Sequence, residues 1–134
     1  SLADLGSGAG FPGIVIAIFN NNKNFTINLY EKSPVKRIFL EKLTKKLCIN
    51  VNIFSNVYKQ KIEASTIVCR AFKKIDKIID ISREIVKYPH KLIVLKGKNA
   101  QEELKKAFKS QKYPYKIEVS MTNKESKIII MDFN

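Results

Sequence analysis

A mostly parallel α/β sheet closing on an antiparallel hairpin is the fold this chain predicts, and three observations carry it. Short apolar runs alternate with stretches of helical periodicity along most of the 134 residues. A glycine-rich turn, Gly6-Ser7-Gly8-Ala9-Gly10, joins the first apolar run to the first helical stretch. Near the C-terminus the alternation stops, and Tyr115 to Met121 is parted from Lys127 to Phe133 by only Thr122-Asn123-Lys124-Glu125-Ser126. Repeated strand–helix–strand units imply parallel strands, whereas a short polar gap turns the chain back antiparallel.

Each element follows from its own residues. Leu2-Ala3-Asp4-Leu5 reads as a strand, and Pro12 opens a helix to Phe19, since proline suits a first helical turn where an N–H has no partner anyway. After the polar loop 20–24, Phe25 to Glu31 reads as a second strand. Pro34 then opens an amphipathic helix on which Val35, Ile38, Phe39, Lys42 and Lys46 recur at helical spacing. Ile49 to Phe54 and Thr66 to Cys69 are the third and fourth strands. A helix over Lys74 to Lys87 turns Ile75, Ile78, Ile79, Ile85 and Val86 inward. Leu92 to Lys96 is a fifth strand, stopped by Gly97, and Asn99 caps a helix bearing Leu104, Ala107 and Phe108. With the two hairpin strands the count reaches seven. One domain over residues 1–134 is expected, without repeat, linker or low-complexity segment.

Hydrophobic residues make up 45% of the chain, enough for a real core. Lys and Arg outnumber Asp and Glu, 25 to 12, for a formal charge of +13. Such an excess suits a polyanion such as RNA. The chain is also rich in Lys, Asn and Ile together, a bias that can be proteome-wide, so basicity favours RNA only modestly. No run of 18 apolar residues suggests a membrane span, and the start at Ser1 shows no signal-peptide pattern. Cys48 and Cys69 make no metal pattern and suit a reducing cytoplasm.

The glycine turn is the chemical centre of the sequence. Glycines permit positive φ and close approach of backbone to a ligand, and the helix beyond offers free N–H groups with partial positive charge. Read as Gly8-Ala9-Gly10-Phe11-Pro12-Gly13, the turn matches the dinucleotide pattern GxGxxG of NAD-linked oxidoreductases. Read as Asp4-x-Gly6-x-Gly8-x-Gly10, it resembles the first motif of S-adenosylmethionine (SAM) methyltransferases. NAD brings an anion to this helix and SAM brings a cation, so the acidic Asp4 favours SAM. Glu31, about twenty residues beyond the glycines, stands where a carboxylate accepts ribose hydroxyls. It supports an adenosine ligand without choosing between the two cofactors, and a solvent-facing Glu is its plainer reading.

Asp4-Leu5-Gly6-Ser7-Gly8-Ala9-Gly10-Phe11-Pro12-Gly13-Ile14, Cys69-Arg70-Ala71-Phe72 and Leu95-Lys96-Gly97 together resemble the glucose-inhibited division protein B family. That family comprises bacterial 16S rRNA guanine-N7 methyltransferases, and the likeness spans essentially the whole chain. It implies a Rossmann-like class I SAM methyltransferase fold and SAM as cofactor. The cofactor would lie on Gly6 and Phe11 in the glycine loop, on Val57 and Tyr58 after the third strand, and on Arg70 after the fourth. Asp4, Ser7, Gly8 and Gly10 complete the loop, and Glu31 would hold the ribose. An arginine common in the family is Asn56 here, and a basic position of the final hairpin is Ser126. The family's N-terminal helical segment, which precedes the first strand, is missing from this sequence. These departures keep a catalytically inactive RNA-binding relative in view.

Guanine N7 carries an in-plane lone pair and needs no deprotonation, so holding donor and acceptor in line suffices. The sequence accordingly offers no acid–base pair, and only Arg70 stands out, as a positioning candidate on cofactor, base or phosphate. Lys96 is the first candidate for RNA, with Lys36, Arg37, Lys124 and Lys127 behind it. The expected partner is small-subunit rRNA or an assembling 30S subunit, met by a monomer in the cytoplasm. His90 reads as structural or exposed. Cys69 at a strand end invites comparison with the nucleophile of cytosine-C5 methyltransferases, but Val68 and Arg70 are the wrong neighbours, and a small buried residue fits better.

Overall fold

In the computed structural model, which describes residues 1–59, 61–109 and 113–134, seven strands form one sheet. The elements run β1 (Leu2–Leu5), α1 (Gly13–Phe19), β2 (Ile27–Tyr30), α2 (Pro34–Leu47), β3 (Asn52–Phe54), β4 (Thr66–Arg70), α3 (Ile75–Ile85), β5 (His90–Lys96), α4 (Ala100–Ala107), β6 (Tyr115–Val119) and β7 (Lys127–Phe133). Strand order is β3-β2-β1-β4-β5-β7-β6. The first five strands are parallel, and β7 runs antiparallel between β5 and β6. The order reverses between β1 and β4, so the crevice above their C-terminal ends is where such a sheet takes a ligand.

Alternating residues along the central strands build two cores. On one face Ala3, Leu5, Ile67, Cys69, Leu92 and Val94 meet the isoleucines of α3 and Leu104 of α4. On the other, Leu2, Leu29 and Val68 meet Ile14 of α1 and Leu40 of α2. Strands covered on both sides are largely apolar, Asp4 of β1 excepted, which is why they read as nearly continuous runs in the sequence.

Local differences from the sequence reading have local causes. Strand β3 begins at Asn52 instead of Ile49, because Cys48 takes a left-handed φ of 52° and the N–H of Ile49 donates to the Thr44 carbonyl. That closure ends α2 and uses up the residues before the strand. On α2 the buried side is Leu40 and Thr44, whereas Val35, Ile38 and Phe39 are exposed. The Ser33 side chain caps the helix, and the Arg37 guanidinium donates to the Glu31 and Lys32 carbonyls. Those anchors set the helix rotation, so the row 37, 40, 44 turns inward in place of the row through Val35. Pro12 sits one residue ahead of α1, as its N-cap.

His90 opens β5 and is buried, with Ser82 Oγ 2.6 Å from Nε2 and the Tyr88 carbonyl 2.8 Å from Nδ1. With Nδ1 donating to that carbonyl, Nε2 accepts the Ser82 hydroxyl, a structural link between α3 and β5. Cys69 is fully buried, and burial pushes its thiol up to about 12, so no thiolate is available for nucleophilic attack.

Candidate functional site

The glycine loop is built by hydrogen bonds from its own chain. The N–H groups of Gly6 and Ser7 both donate to the Tyr30 carbonyl at the end of β2, at 2.8 and 3.0 Å. Asp4, fully buried on β1, accepts the Gly13 N–H at Oδ2 (2.9 Å) and so fastens the start of α1 to the strand. Ser7 donates its hydroxyl to the Asp4 carbonyl. Gly6, Gly8 and Gly10 take φ of 74, 59 and 98°. At Gly6 crowding adds to conformation, because a Cβ there would lie 2.6 Å from the Phe72 ring. A Cβ at Gly13 would lie 2.6 Å from the Asp4 carboxylate. Glycine at these two positions lets the loop close on its neighbours.

Glu31 clamps this loop. Its Oε2 accepts the Gly8 N–H at 2.9 Å, and its Oε1 accepts the Ser33 N–H at 2.8 Å. One carboxylate thereby ties the glycine turn to the N-terminus of α2. A carboxylate has about four acceptor positions, so two remain for hydroxyl donors. Beside it opens a cavity of about 380 Å³, bordered by Gly6, Glu31, Asn56, Val57, Tyr58 and Phe72. Tyr30 borders it as well, and its ring stacks on Phe54 at 5.1 Å between ring centroids. A ribose hydroxyl acceptor, apolar walls for a flat base and glycine backbone at close range are what an adenosine cofactor requires, and the residues present fit one.

A second cavity of about 450 Å³ lies above the ends of β4 and β5 and the turn between β6 and β7. Arg70, Ala71, Lys96, Thr122, Ser126 and Lys127 border it. The segment after β4 is the wall between the two, since Arg70 and Ala71 face the second cavity and Phe72 and Lys73 the first. Ala71 has a left-handed φ of 51°. The Arg70 guanidinium sits 5.7 Å from the centre of the Phe11 ring, bringing the expected loop and strand-end residues together.

The expected cations are held differently from one another. Lys96 is nearly enclosed, with Nζ 2.7 Å from Glu103 Oε2 and donating to the Lys73 carbonyl at 2.6 Å. Arg37 is engaged with two backbone carbonyls, as described above. Lys127 reaches the second cavity while donating to the Lys124 carbonyl. Lys36 is exposed on α2. Tyr30, Phe72 and Lys73 also border the first cavity and Thr122 the second, although no motif gives them a role. Nothing in the order of residues marks them, because the cavities form only where separate strand ends meet.

The crossed strand order, the glycine loop and the clamped carboxylate define the fold of class I SAM methyltransferases. A 16S rRNA N2-guanine methyltransferase of T. thermophilus, solved with AdoMet and guanosine, is similar with a TM-score of 0.72 at 11% identity over 99% of this chain and 37% of that one. A family model, GidB, described as rRNA small subunit methyltransferase G, matches residues 1–130. The chain belongs to that family. Proteins named ribosomal RNA small subunit methyltransferase G are 39% identical in Rickettsia felis and 34% identical in Pelagibacter ubique, over 96% and 93% of this chain. The chain spans 65% and 61% of the lengths of these two relatives.

Proposed function

We propose that this chain forms the catalytic centre of a SAM-dependent methyltransferase acting on N7 of a guanine in small-subunit ribosomal RNA. The observation that carries the reading is the Glu31-clamped glycine loop beside the first cavity, in a chain of the GidB family. Family membership favours SAM over NAD and an enzyme over an inactive relative. SAM, when bound, supplies a methyl group activated by a sulfonium.

The chain's own residues bind and align. Glu31 accepts the ribose hydroxyls, while Gly6, Val57 and Tyr58 enclose the adenine, and Phe11 and Arg70 close the end facing the second cavity. Asp4, Ser7, Gly8 and Gly10 keep the loop in shape. The second cavity receives the acceptor guanine, with Arg70 and Lys127 as donors to its O6 edge or its phosphate. Lys36 and Lys124 extend a basic surface for the flanking RNA, and Arg37 and Lys96 contribute charge while held by protein groups. No general base is required, because the N7 lone pair is already free. The rate then rests on orientation, for which effective molarities reach about 10⁵ M or more.

The proposed partner is small-subunit rRNA, free or in an assembling 30S subunit, met in the cytoplasm by a monomer. Among the described residues no helix is long and apolar enough to cross a membrane. Calorimetric titration with SAM and with NAD tests the cofactor, and methylation of small-subunit RNA followed by cleavage at N7-methylguanine tests the reaction. Saturable binding of SAM alone and a single cleavage position are expected. Binding of NAD alone overturns the reading.

A further inference from the structure

Glu103 borders neither cavity, yet it is joined to the wall between them. It lies in α4, and its Oε2 is 2.7 Å from the Lys96 ammonium while accepting the Ile75 N–H at 3.1 Å. The same ammonium donates to the Lys73 carbonyl at 2.6 Å. One carboxylate oxygen thus joins the end of β5, the first turn of α4 and the start of α3. The pair is largely desolvated, with side-chain exposures of 11% for Lys96 and 25% for Glu103. Removing one partner therefore leaves the other poorly compensated, unlike the loss of an exposed pair.

Helix α3 has no cap of its own, since Lys74 precedes it without a side-chain hydrogen bond. Glu103 performs that service from a distant part of the chain, adding a negative charge at the helix N-terminus. Together Lys96 and Glu103 grip the Lys73 carbonyl and the Ile75 amide, which form the far end of the wall. The near end leaves β4 at Arg70. Between the two grips Phe72 presses on Gly6, at a separation that leaves no room for a Cβ. Shifting the grip therefore moves Phe72 against the glycine loop, and Arg70 and Ala71 against the second cavity.

We infer that Glu103 is a positioning residue for methyl transfer, acting through Lys96 and the Ile75 amide to place the 70–73 wall between donor and acceptor cavities. The inference rests on the SAM reading of the first cavity. Orientation is the main lever of this chemistry, and a displacement of about 1 Å can cost on the order of a hundredfold in rate.

The test uses Glu103→Gln, which keeps an oxygen for Ile75 but loses the ionic hold on Lys96, beside Lys96→Met and the neighbouring surface change Glu102→Ala. Amide NMR spectra of the free proteins come first, well below the unfolding temperature. Displaced Gly6 and Phe72 signals are expected in Glu103→Gln and Lys96→Met, with wild-type signals in Glu102→Ala. Next come SAM titration and single-turnover transfer to small-subunit RNA, where both site variants should lose on the order of tenfold in rate. Lowered unfolding temperature with unchanged Gly6 and Phe72 signals and unchanged transfer rate makes Glu103 merely structural and overturns the inference. If wild type fails to bind SAM, the cofactor reading falls, while the NMR comparison still decides whether Glu103 places the wall. Should Glu103→Gln not fold, Lys96→Met carries the same test from the other partner.

Discussion

Asp4 shows how a single buried carboxyl ties the loop to pH. It is fully buried, and its Oδ1 has no hydrogen-bond partner. Burial raises its pKa to about 6, against the lowering effect of the Gly13 N–H, with the Glu31 charge adding to the rise. The folded state therefore holds the proton more tightly than the unfolded chain, whose carboxyl titrates near 3.8. Stability is greatest below that value and falls as pH rises through about 6, by about 3 kcal/mol from this group. Asp4→Asn, whose amide oxygen still accepts from Gly13, should flatten that pH window and raise stability at pH 7. Urea unfolding at pH 4.5 and 7 checks it, and an unchanged profile excludes Asp4 as the source. Replacing Glu31 has the opposite effect on stability, because Glu31→Ala leaves the Gly8 and Ser33 amides without their acceptor. A stability loss of about 1–3 kcal/mol is expected, and SAM affinity should drop at least about tenfold, the worth of one lost hydrogen bond to a charged group. Retained affinity in calorimetry removes Glu31 from the ribose contact.

At the scale of elements, boundaries follow from caps more than from periodicity. Helix α2 ends because Cys48 adopts a left-handed conformation that glycine takes without cost. Cys48→Gly should therefore stabilise the protein by about 0.5–1 kcal/mol, seen as a higher denaturation midpoint with an unchanged urea slope. A lower midpoint means the cysteine side chain contributes more than its strained φ costs. The apolar row Val35, Ile38, Phe39 drew attention in the sequence as the mark of an amphipathic helix. The helix is there, but rotated away from that row, since Arg37 and Ser33 anchor it through polar contacts that periodicity does not register. Helix α3, whose dense isoleucine stripe agrees with its polar ties to Glu103 and His90, lies where its pattern indicates.

For the whole molecule, the charge of +13 bears on RNA binding. Affinity for small-subunit RNA should fall at least about tenfold between 50 and 200 mM salt as counterions are released. SAM affinity, which involves no run of phosphates, should change far less over the same range. Filter binding and calorimetry on the same protein separate the two, and a salt-insensitive RNA affinity contradicts a phosphate-led interface.

The strands, the order of elements, the hairpin and the glycine loop were legible in the residues because each depends on local conformation and on apolar spacing. The family resemblance, carried by the loop together with Cys69-Arg70-Ala71-Phe72 and Leu95-Lys96-Gly97, also brought Arg70, Phe11, Val57 and Tyr58 into view. What the residues could not show was the division into two cavities, or that Lys96 and Arg37, both read as RNA contacts, are engaged by groups of the protein itself. Those facts depend on which strand ends become neighbours. Lys96 and Glu103 lie on consecutive elements, but the Ile75 amide that Glu103 accepts from belongs to a helix whose place is set by sheet order. Spacing along a chain encodes local turns and faces. Contacts between remote segments are decided only when the sheet assembles and low-dielectric burial makes each polar group find a partner.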